Sequence, residues 1–163
     1  MTVNKNIRFS TEEIFELAKR IEVNGEKFYR LAAKSCPDYK DFLLKMADQE
    51  KIHKSIFEKM SKQFVDDQRR FVHSDDNENV ASYLNALADY TVFNALEDPE
   101  EIFINVQKPK EIFRQALSRE SETILFFIGI KDMMISNEDK EVIDLLIKEE
   151  MTHIVWIKEN FPK

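Results

Sequence analysis

The chain has 163 residues, of which 43% are hydrophobic, and this is enough for one substantial core, so we expect a single domain over residues 1–163. Only two glycines and four prolines occur, a balance that favours long helices and argues against a many-stranded sheet with its turn residues. The net charge of −7, without a local cluster of Lys and Arg, argues against a phosphate-binding surface and therefore against a nucleic-acid partner.

The first half of the chain predicts two helices joined by a tight reversal. The first should run from Thr11 to about Lys34, because Ser10-Thr11-Glu12-Glu13 has the pattern of a capping box. Pro37 cannot continue that helix but is tolerated in the first turn of the next one. We therefore expect a second helix that extends to about Phe64.

The second half predicts another helical pair. Pro109 suits the first position of a third helix, which should continue to about Ile135. Ser136 and Asn137 are candidate caps for a fourth helix, from Glu138 to about Asn160. All four predicted helices are long, so the expected fold class is all-α.

The segment from Asp66 to Lys108 reads as a connection, with short helical stretches near 80–91 and 100–106. A segment of this length can span a bundle from end to end, so we expect two helical hairpins joined by one crossover. Its apolar residues should cover the bundle or form a dimer interface. These residues are Tyr83, Leu84, Leu87, Tyr90, Val92 and Phe93.

Each predicted helix has one apolar stripe at alternating steps of three and four residues, the spacing of core positions in a bundle. In chain order the stripes are Phe15, Ala18, Glu22, Gly25, Tyr29 and Ala32; Leu43, Met46, Glu50, His53, Phe57, Met60 and Phe64; Phe113, Ala116, Glu120, Thr123, Phe127, Ile130 and Met134; and Ile143, Leu146, Glu150, His153 and Ile157. Every stripe is apolar at both ends and polar midway. The pattern predicts polar side chains at matching heights within an apolar core.

The two halves of the chain repeat the same polar pattern. The Glu-x-x-His pair of the second helix recurs in the fourth, and the distance from the single glutamate to this pair is 28 residues in one half and 30 in the other. The pattern consists of Glu22, Glu50, His53, Glu120, Glu150 and His153. This repetition predicts a site with pseudo-twofold symmetry.

Electrostatics favour metal binding over a purely structural polar layer. An ionised carboxylate without a partner in an apolar interior is costly, and four at one level would also repel one another. Two divalent ions would bring +4 against the −4 of the four glutamates, while each histidine supplies a neutral nitrogen. The ligand set therefore predicts a pair of divalent metal ions, and carboxylate and imidazole ligands accept iron, manganese or zinc.

The most specific motifs are Glu22-x-x-Gly25-x-x-Phe28-Tyr29, Glu50-x-x-His53, Ala116-x-x-x-Glu120 and Glu150-x-x-His153. In these motifs the chain resembles the rubrerythrin-like branch of the ferritin-like superfamily, and the resemblance extends from Ile14 to Trp156. It implies a ferritin-like four-helix bundle with a long crossover between helices two and three, a carboxylate-bridged di-iron centre and a homodimer. It also implies that Glu50 and Glu150 bridge the irons, with Glu22 and Glu120 as terminal ligands.

Two features depart from that family. Rubrerythrins commonly add a rubredoxin domain that passes electrons to the irons, whereas this sequence has one cysteine, Cys36, and cannot build a rubredoxin-type iron site. We therefore expect electrons from a separate donor protein. Peroxidase-type rubrerythrins have a further glutamate where this chain has Thr123, and Glu122 lies about 100° away around the helix, which weakens the peroxidase assignment.

Three further residues are candidates for a role beside the metals. Gly25 and Thr123 lie one turn beyond the single glutamates of helices one and three, and they serve either close helix packing or an open face where dioxygen or peroxide meets the metals. Tyr29 is a candidate for hydrogen bonding to a ligand or for carrying an oxidising equivalent. Its repeat partner is Phe127, so core packing with a satisfied hydroxyl is the favoured explanation.

The leading functional hypothesis is a non-haem di-iron oxidoreductase that reduces peroxide or dioxygen by two electrons. The alternatives are a ferroxidase that feeds iron storage or detoxification, and a structural metal-binding bundle used for protein contacts. The single cysteine, the lack of a signal-peptide pattern and the lack of a long apolar segment lead us to expect a cytoplasmic protein that does not enter a membrane.

Overall fold

The computed structural model describes residues 11–66, 83, 86, 97–106, 108–134 and 136–163. Its elements are helix α1 (Thr11–Ser35), a 3₁₀ turn (Pro37–Tyr39), and helices α2 (Lys40–Asp66), α3 (Pro99–Asn105), α4 (Pro109–Met133) and α5 (Asn137–Glu159). The described residues contain no β-strand. None of the described helices is long and apolar enough to cross a lipid bilayer.

Local sequence explains where the helices begin. Pro109 is the first residue of α4, and Ser136 caps α5 by accepting the backbone N–H of Asp139 at 3.1 Å. The reversal at Pro37 forms a 3₁₀ turn before α2 begins three residues later. Each of the four long helices ends within two residues of its predicted end. Ser10 of the capping box and most of the stretch at 80–91 lie outside the described residues, whereas the stretch at 100–106 corresponds to α3.

Two helical hairpins build the molecule. Helix α1 packs along α2, and α4 packs along α5, while contacts of α1 with α4 and of α2 with α5 join the two hairpins. The chain between the hairpins includes α3, which lies against α1. This is the all-α four-helix bundle with a long crossover that the sequence predicts.

The predicted stripes form the core. Every stripe residue whose side chain the structure describes is buried, and only the side chain of Phe64 lies outside that description. The apolar residues divide into two groups. The Phe57 cluster includes Ile14, Phe15, Phe57, Phe127, Ile130 and Leu146. The Phe28 cluster includes Phe28, Leu43, Met46, Ile112, Phe113 and Ile157. The polar residues of the stripes lie between these two clusters along the helices.

Parts of the crossover cover the bundle, as expected. The Tyr83 hydroxyl donates to the Leu125 carbonyl at 2.9 Å, and Tyr83 packs against the Phe57 cluster. At the start of α3, Lys27 of α1 forms ion pairs with Asp98 at 2.8 Å and with Glu100 at 3.0 Å. The other apolar crossover residues named above lie outside the described residues.

Candidate metal centre

The six residues of the repeated Glu and Glu-x-x-His pattern meet in the middle of the bundle. Helix α1 supplies one of them, α2 two, α4 one and α5 two. All are buried, with exposed fractions between 0% for Glu22 and 4% for Glu50. The structure therefore brings together every residue that the sequence predicts as a metal ligand: Glu22, Glu50, His53, Glu120, Glu150 and His153.

The six side chains form two overlapping groups, each of which can hold a metal ion. One group consists of Glu22, Glu50, His53 and Glu150, and the other of Glu50, Glu120, Glu150 and His153. Within each group, the candidate ligand atoms lie within 4.8 Å of one another. Glu50 and Glu150 belong to both groups. This sharing is the arrangement that two carboxylates need to bridge a pair of ions.

Glu150 contacts both imidazole rings of the cluster. Its Oε1 atom is 2.7 Å from Nδ1 of His53, and its Oε2 atom is 2.9 Å from Nδ1 of His153. The two rings are stacked, with centroids 5.4 Å apart and planes inclined by 17°. Nδ1 of His53 is also 3.6 Å from Glu22, and Nδ1 of His153 is 3.5 Å from Glu120. Both Nδ1 atoms thus face the carboxylates.

The donor atoms at this site fit divalent cations. Three of them make no hydrogen bond to any described residue: both carboxylate oxygens of Glu22 and Oε1 of Glu50. Leaving buried polar atoms unsatisfied costs free energy, and a cation that accepts their lone pairs removes this cost. Carboxylate oxygen and imidazole nitrogen together suit iron, manganese and zinc. The cluster therefore has the composition and unsatisfied atoms of a metal-binding site.

Burial makes three of the four carboxylates hard to ionise without a metal. Burial is the main cause that raises the pKa of Glu22 to about 7, and the nearby charge of Glu150 adds to the shift. The pKa of Glu50 rises well above its usual range for the same two reasons, and that of Glu150 is also raised by burial. Glu120 differs, because contacts with His153, Glu150 and Tyr29 outweigh its burial and lower its pKa.

The two histidines respond in the opposite way. Burial lowers the pKa of His53, but the contacts with Glu150 and Glu22 outweigh it and raise the pKa to about 11. Burial likewise opposes protonation of His153, whereas Glu120 and Glu150 raise its pKa to about 9. The metal-free cluster therefore holds protons at neutral pH, and a binding cation has to displace them.

Tyr29 is both a packing residue and a hydrogen-bond donor. Its hydroxyl donates to Glu120 Oε1, and its ring packs edge-on against Phe28 at a centroid distance of 5.3 Å. Burial and the charges of Glu120 and Glu50 raise the pKa of Tyr29 well above its usual range. The phenol therefore keeps its proton and helps to hold Glu120. Its repeat partner Phe127 has no hydroxyl group and only packs, against the ring of Phe57.

Gly25 lies where the Glu50 side chain crosses α1. A Cβ atom added at this position would be 3.0 Å from Cδ and 3.2 Å from Cγ of Glu50, and closer still to Oε2. Close packing therefore accounts for Gly25. Thr123, at the equivalent position of α4, is also buried. The other explanation of both residues, an open face for peroxide or dioxygen, stays a prediction.

The apolar stripes do not include Glu149. One carboxylate oxygen of this residue lies 2.7 Å from Nε2 of His53, across the gap from α5 to α2. Glu149 is an exposed residue directly before a stripe residue, so its position in the sequence resembles that of any solvent-facing glutamate. Only the rotation of α5 relative to α2 brings it to the histidine.

The stripes also leave out two charged residues of α4 that are buried, Arg119 and Glu122. Arg119 is 4% exposed, and its guanidinium lies 5.1 Å from the ring centroid of Phe28. Burial lowers the pKa of Arg119, although the nearby charges of Glu50 and Glu120 oppose this shift. One turn later Glu122 is buried and accepts a hydrogen bond from the Ser118 hydroxyl at 3.0 Å. A signal did exist, because Arg119 occupies the position that the buried Ile21 holds in the first repeat.

Comparison with known proteins agrees with this geometry. The rubrerythrin family model matches residues 13–158. In three dimensions the chain is similar to a structure from Thermotoga maritima described as a ferritin-like diiron-carboxylate protein, with a TM-score of 0.69 and 29% identity, over 93% of this chain and 94% of that chain. No curated protein sequence matches the chain. The resemblance and the ferritin-like fold inferred from the motifs are thereby confirmed, and the chain belongs to the rubrerythrin family.

Proposed function

We propose that the protein is a non-haem di-iron oxidoreductase that reduces hydrogen peroxide or dioxygen. One observation carries this proposal, namely that Glu50 and Glu150 are shared by two groups of four possible ligands in a buried layer. Membership of the rubrerythrin family supports iron as the metal, as does similarity to a protein described as a diiron-carboxylate protein.

The residues divide naturally between two cations. Glu22 and His53 would hold one ion, Glu120 and His153 the other, and the two shared glutamates would bridge them. Four carboxylates balance the charge of two divalent ions, which removes the repulsion within the layer. When bound, a pair of ferrous ions supplies two electrons, and these with two protons convert hydrogen peroxide into two water molecules.

The protein itself contributes position, proton placement and exclusion of water. The Phe57 and Phe28 clusters cover the polar layer on both sides, so bulk water is kept from most of the ligand atoms. Tyr29 keeps its proton and donates it in a hydrogen bond to Glu120, which fixes the orientation of that carboxylate. The four long helices bring the six side chains into one layer, with their candidate ligand atoms grouped closely enough to hold two ions.

We also propose that a separate protein returns electrons to the centre and that the working unit is a homodimer in the cytoplasm. Exposed apolar side chains on α4 and α5 support an interface between copies. They are Leu125, Ile128, Leu145, Met151 and Val155. A single monomeric species in sedimentation at micromolar concentration would contradict the dimer.

Anaerobic loading with Fe(II), followed by elemental analysis and peroxide addition, tests the proposal. We expect two irons per chain, oxidation on mixing with peroxide, and renewed oxidation each time a chemical reductant restores the ferrous state. Glu50→Gln should lose iron binding, whereas Glu58→Gln, two turns later on α2 and with a half-exposed side chain, should retain it. Fewer than one iron per chain would refute a di-iron centre. Oxidation that releases ferric iron into mineral would favour the ferroxidase alternative.

A further inference from the structure

Glu149 contacts one of the two histidines on the side that faces away from the carboxylate cluster. Nδ1 of His53 points at Glu150 and Glu22, while Nε2 lies 2.7 Å from Oε2 of Glu149. A carboxylate only accepts hydrogen bonds, so Nε2 of His53 is the donor in this contact. The hydrogen on Nε2 leaves Nδ1 as the nitrogen whose lone pair is available to a cation.

The second histidine is held in a different way. His153 packs against the indole of Trp156, with ring centroids 5.7 Å apart, and Lys45 lies 3.7 Å above the same indole. In the internal repeat, Gln49 corresponds to Glu149 and Ile56 corresponds to Trp156. The carboxylate beside one histidine and the indole beside the other therefore have no counterpart across the pseudo-twofold axis. The two halves of the site are chemically unequal.

We propose that Glu149 is a positioning residue, which fixes the ring of His53 with Nδ1 toward the cations and thereby strengthens metal binding in the Glu22–His53 half of the site only. This inference rests on the proposed metal centre. Histidine ligands commonly donate their other ring N–H to a carboxylate, and loss of that partner weakens metal binding by about 10- to 100-fold.

A simple surface ion pair is the competing explanation of this contact. The Glu149 side chain is 51% exposed, and half-exposed ion pairs contribute little to folding stability. A surface pair would therefore leave both protein stability and metal affinity almost unchanged when it is removed. A positioning role also leaves stability nearly unchanged but lowers the affinity of one metal-binding step. Metal affinity is thus the measurement that separates the two explanations.

Titration of the metal-free protein with Co(II), followed by visible absorption and calorimetry, gives the two binding steps separately. In Glu149→Ala we expect one step to weaken about 10-fold, at the lower end of the range because the contact is half-exposed, and the other to stay as in the wild type. Glu149→Gln retains an acceptor oxygen and should lose less. The step weakened in Glu149→Ala should be the step that His53→Gln removes.

Glu141→Gln is the matched control, because it removes the same charge from an exposed position on the same helix, two turns before Glu149. It should leave both steps unchanged. If the wild type binds two ions and Glu149→Ala binds both equally well, the inference is wrong while the metal centre stands. Equal weakening of both steps, or weakening in Glu141→Gln as well, would show a general charge effect and overturn the inference. A wild type that binds no pair of ions would overturn the metal centre and the inference together.

Discussion

Replacing Gly25 with alanine tests the geometry of the centre at its tightest point. The added Cβ would lie 3.0 Å from Cδ of Glu50, whereas ordinary contacts of this kind begin at 3.4 Å. The Cδ atom of Glu50 must therefore move by about 0.4 Å, and its nearest carboxylate oxygen must move by more. Metal ligands have to stay within about 0.5 Å of their productive positions, so this displacement is large enough to disturb binding. Since Glu50 is shared by both groups of ligands, we expect both metal-binding steps to weaken by about tenfold or more.

Stability should respond in the opposite direction. Alanine is favoured over glycine inside a helix by about 1 kcal/mol, and the flexible Glu50 side chain can rotate away from the added methyl group when no cation holds it. Metal-free Gly25→Ala should therefore unfold at an equal or higher denaturant concentration than the wild type. A lower metal affinity together with unchanged or raised stability is the expected result.

Denaturant unfolding of the metal-free protein and Co(II) titration are the two assays. Gly129→Ala is the control, because it adds the same helix preference in α4 about 14 Å along the axis from Glu120 and should not alter metal affinity. An affinity of Gly25→Ala within twofold of the wild type would refute the reasoning. If that result came with a slower reaction with peroxide, the open-face explanation of Gly25 would be the better one.

Two further predictions follow from the charges of the metal-free cluster. The free energy of unfolding of the metal-free protein should fall as the pH rises from about 5 to about 9. The pKa is about 7 for Glu22 and about 11 for His53 in the folded state, against ordinary values of 4.5 and 6.5. Over this pH range the folded state therefore keeps protons that the unfolded chain loses. Thermal unfolding across this range measures the effect, and a melting temperature that rises with pH would contradict it. Tyr29→Phe removes the hydrogen bond to Glu120 and should cost the metal-free protein about 2 kcal/mol in denaturant unfolding, so a loss below about 0.5 kcal/mol would contradict that contact.

The sequence was sufficient for the parts of the structure that depend on periodicity. A stripe at steps of three and four assigns residues such as Glu22 and His53 to the inner face of their helices, and that assignment does not depend on how neighbouring helices are turned. The repeat then places the polar residues of all four helices at one height. This is why residue positions alone predict the bundle and bring these six residues together.

The residues that the stripes did not include depend on helix rotation and side-chain reach. Glu149 and Arg119 each directly precede a stripe residue, and such positions face solvent on one helix and a neighbouring helix on another. The long side chain of Glu149 reaches His53 only because α5 is turned toward α2, and no local pattern specifies this turn. Gly25 was singled out by its cost within a helix, but only the path of the Glu50 side chain gives the reason for it.

The separation of the apolar core into two clusters has a consequence for how the bundle unfolds. Without cations, a layer of buried polar side chains divides the Phe57 and Phe28 clusters, so the buried apolar residues that the structure describes form two separate groups along the bundle. Each cluster can then open with its own free energy, as a separate cooperative unit. Cations bound to residues of all four long helices would cross-link both units at mid-height, so metal loading would determine whether the bundle melts in two stages or in one.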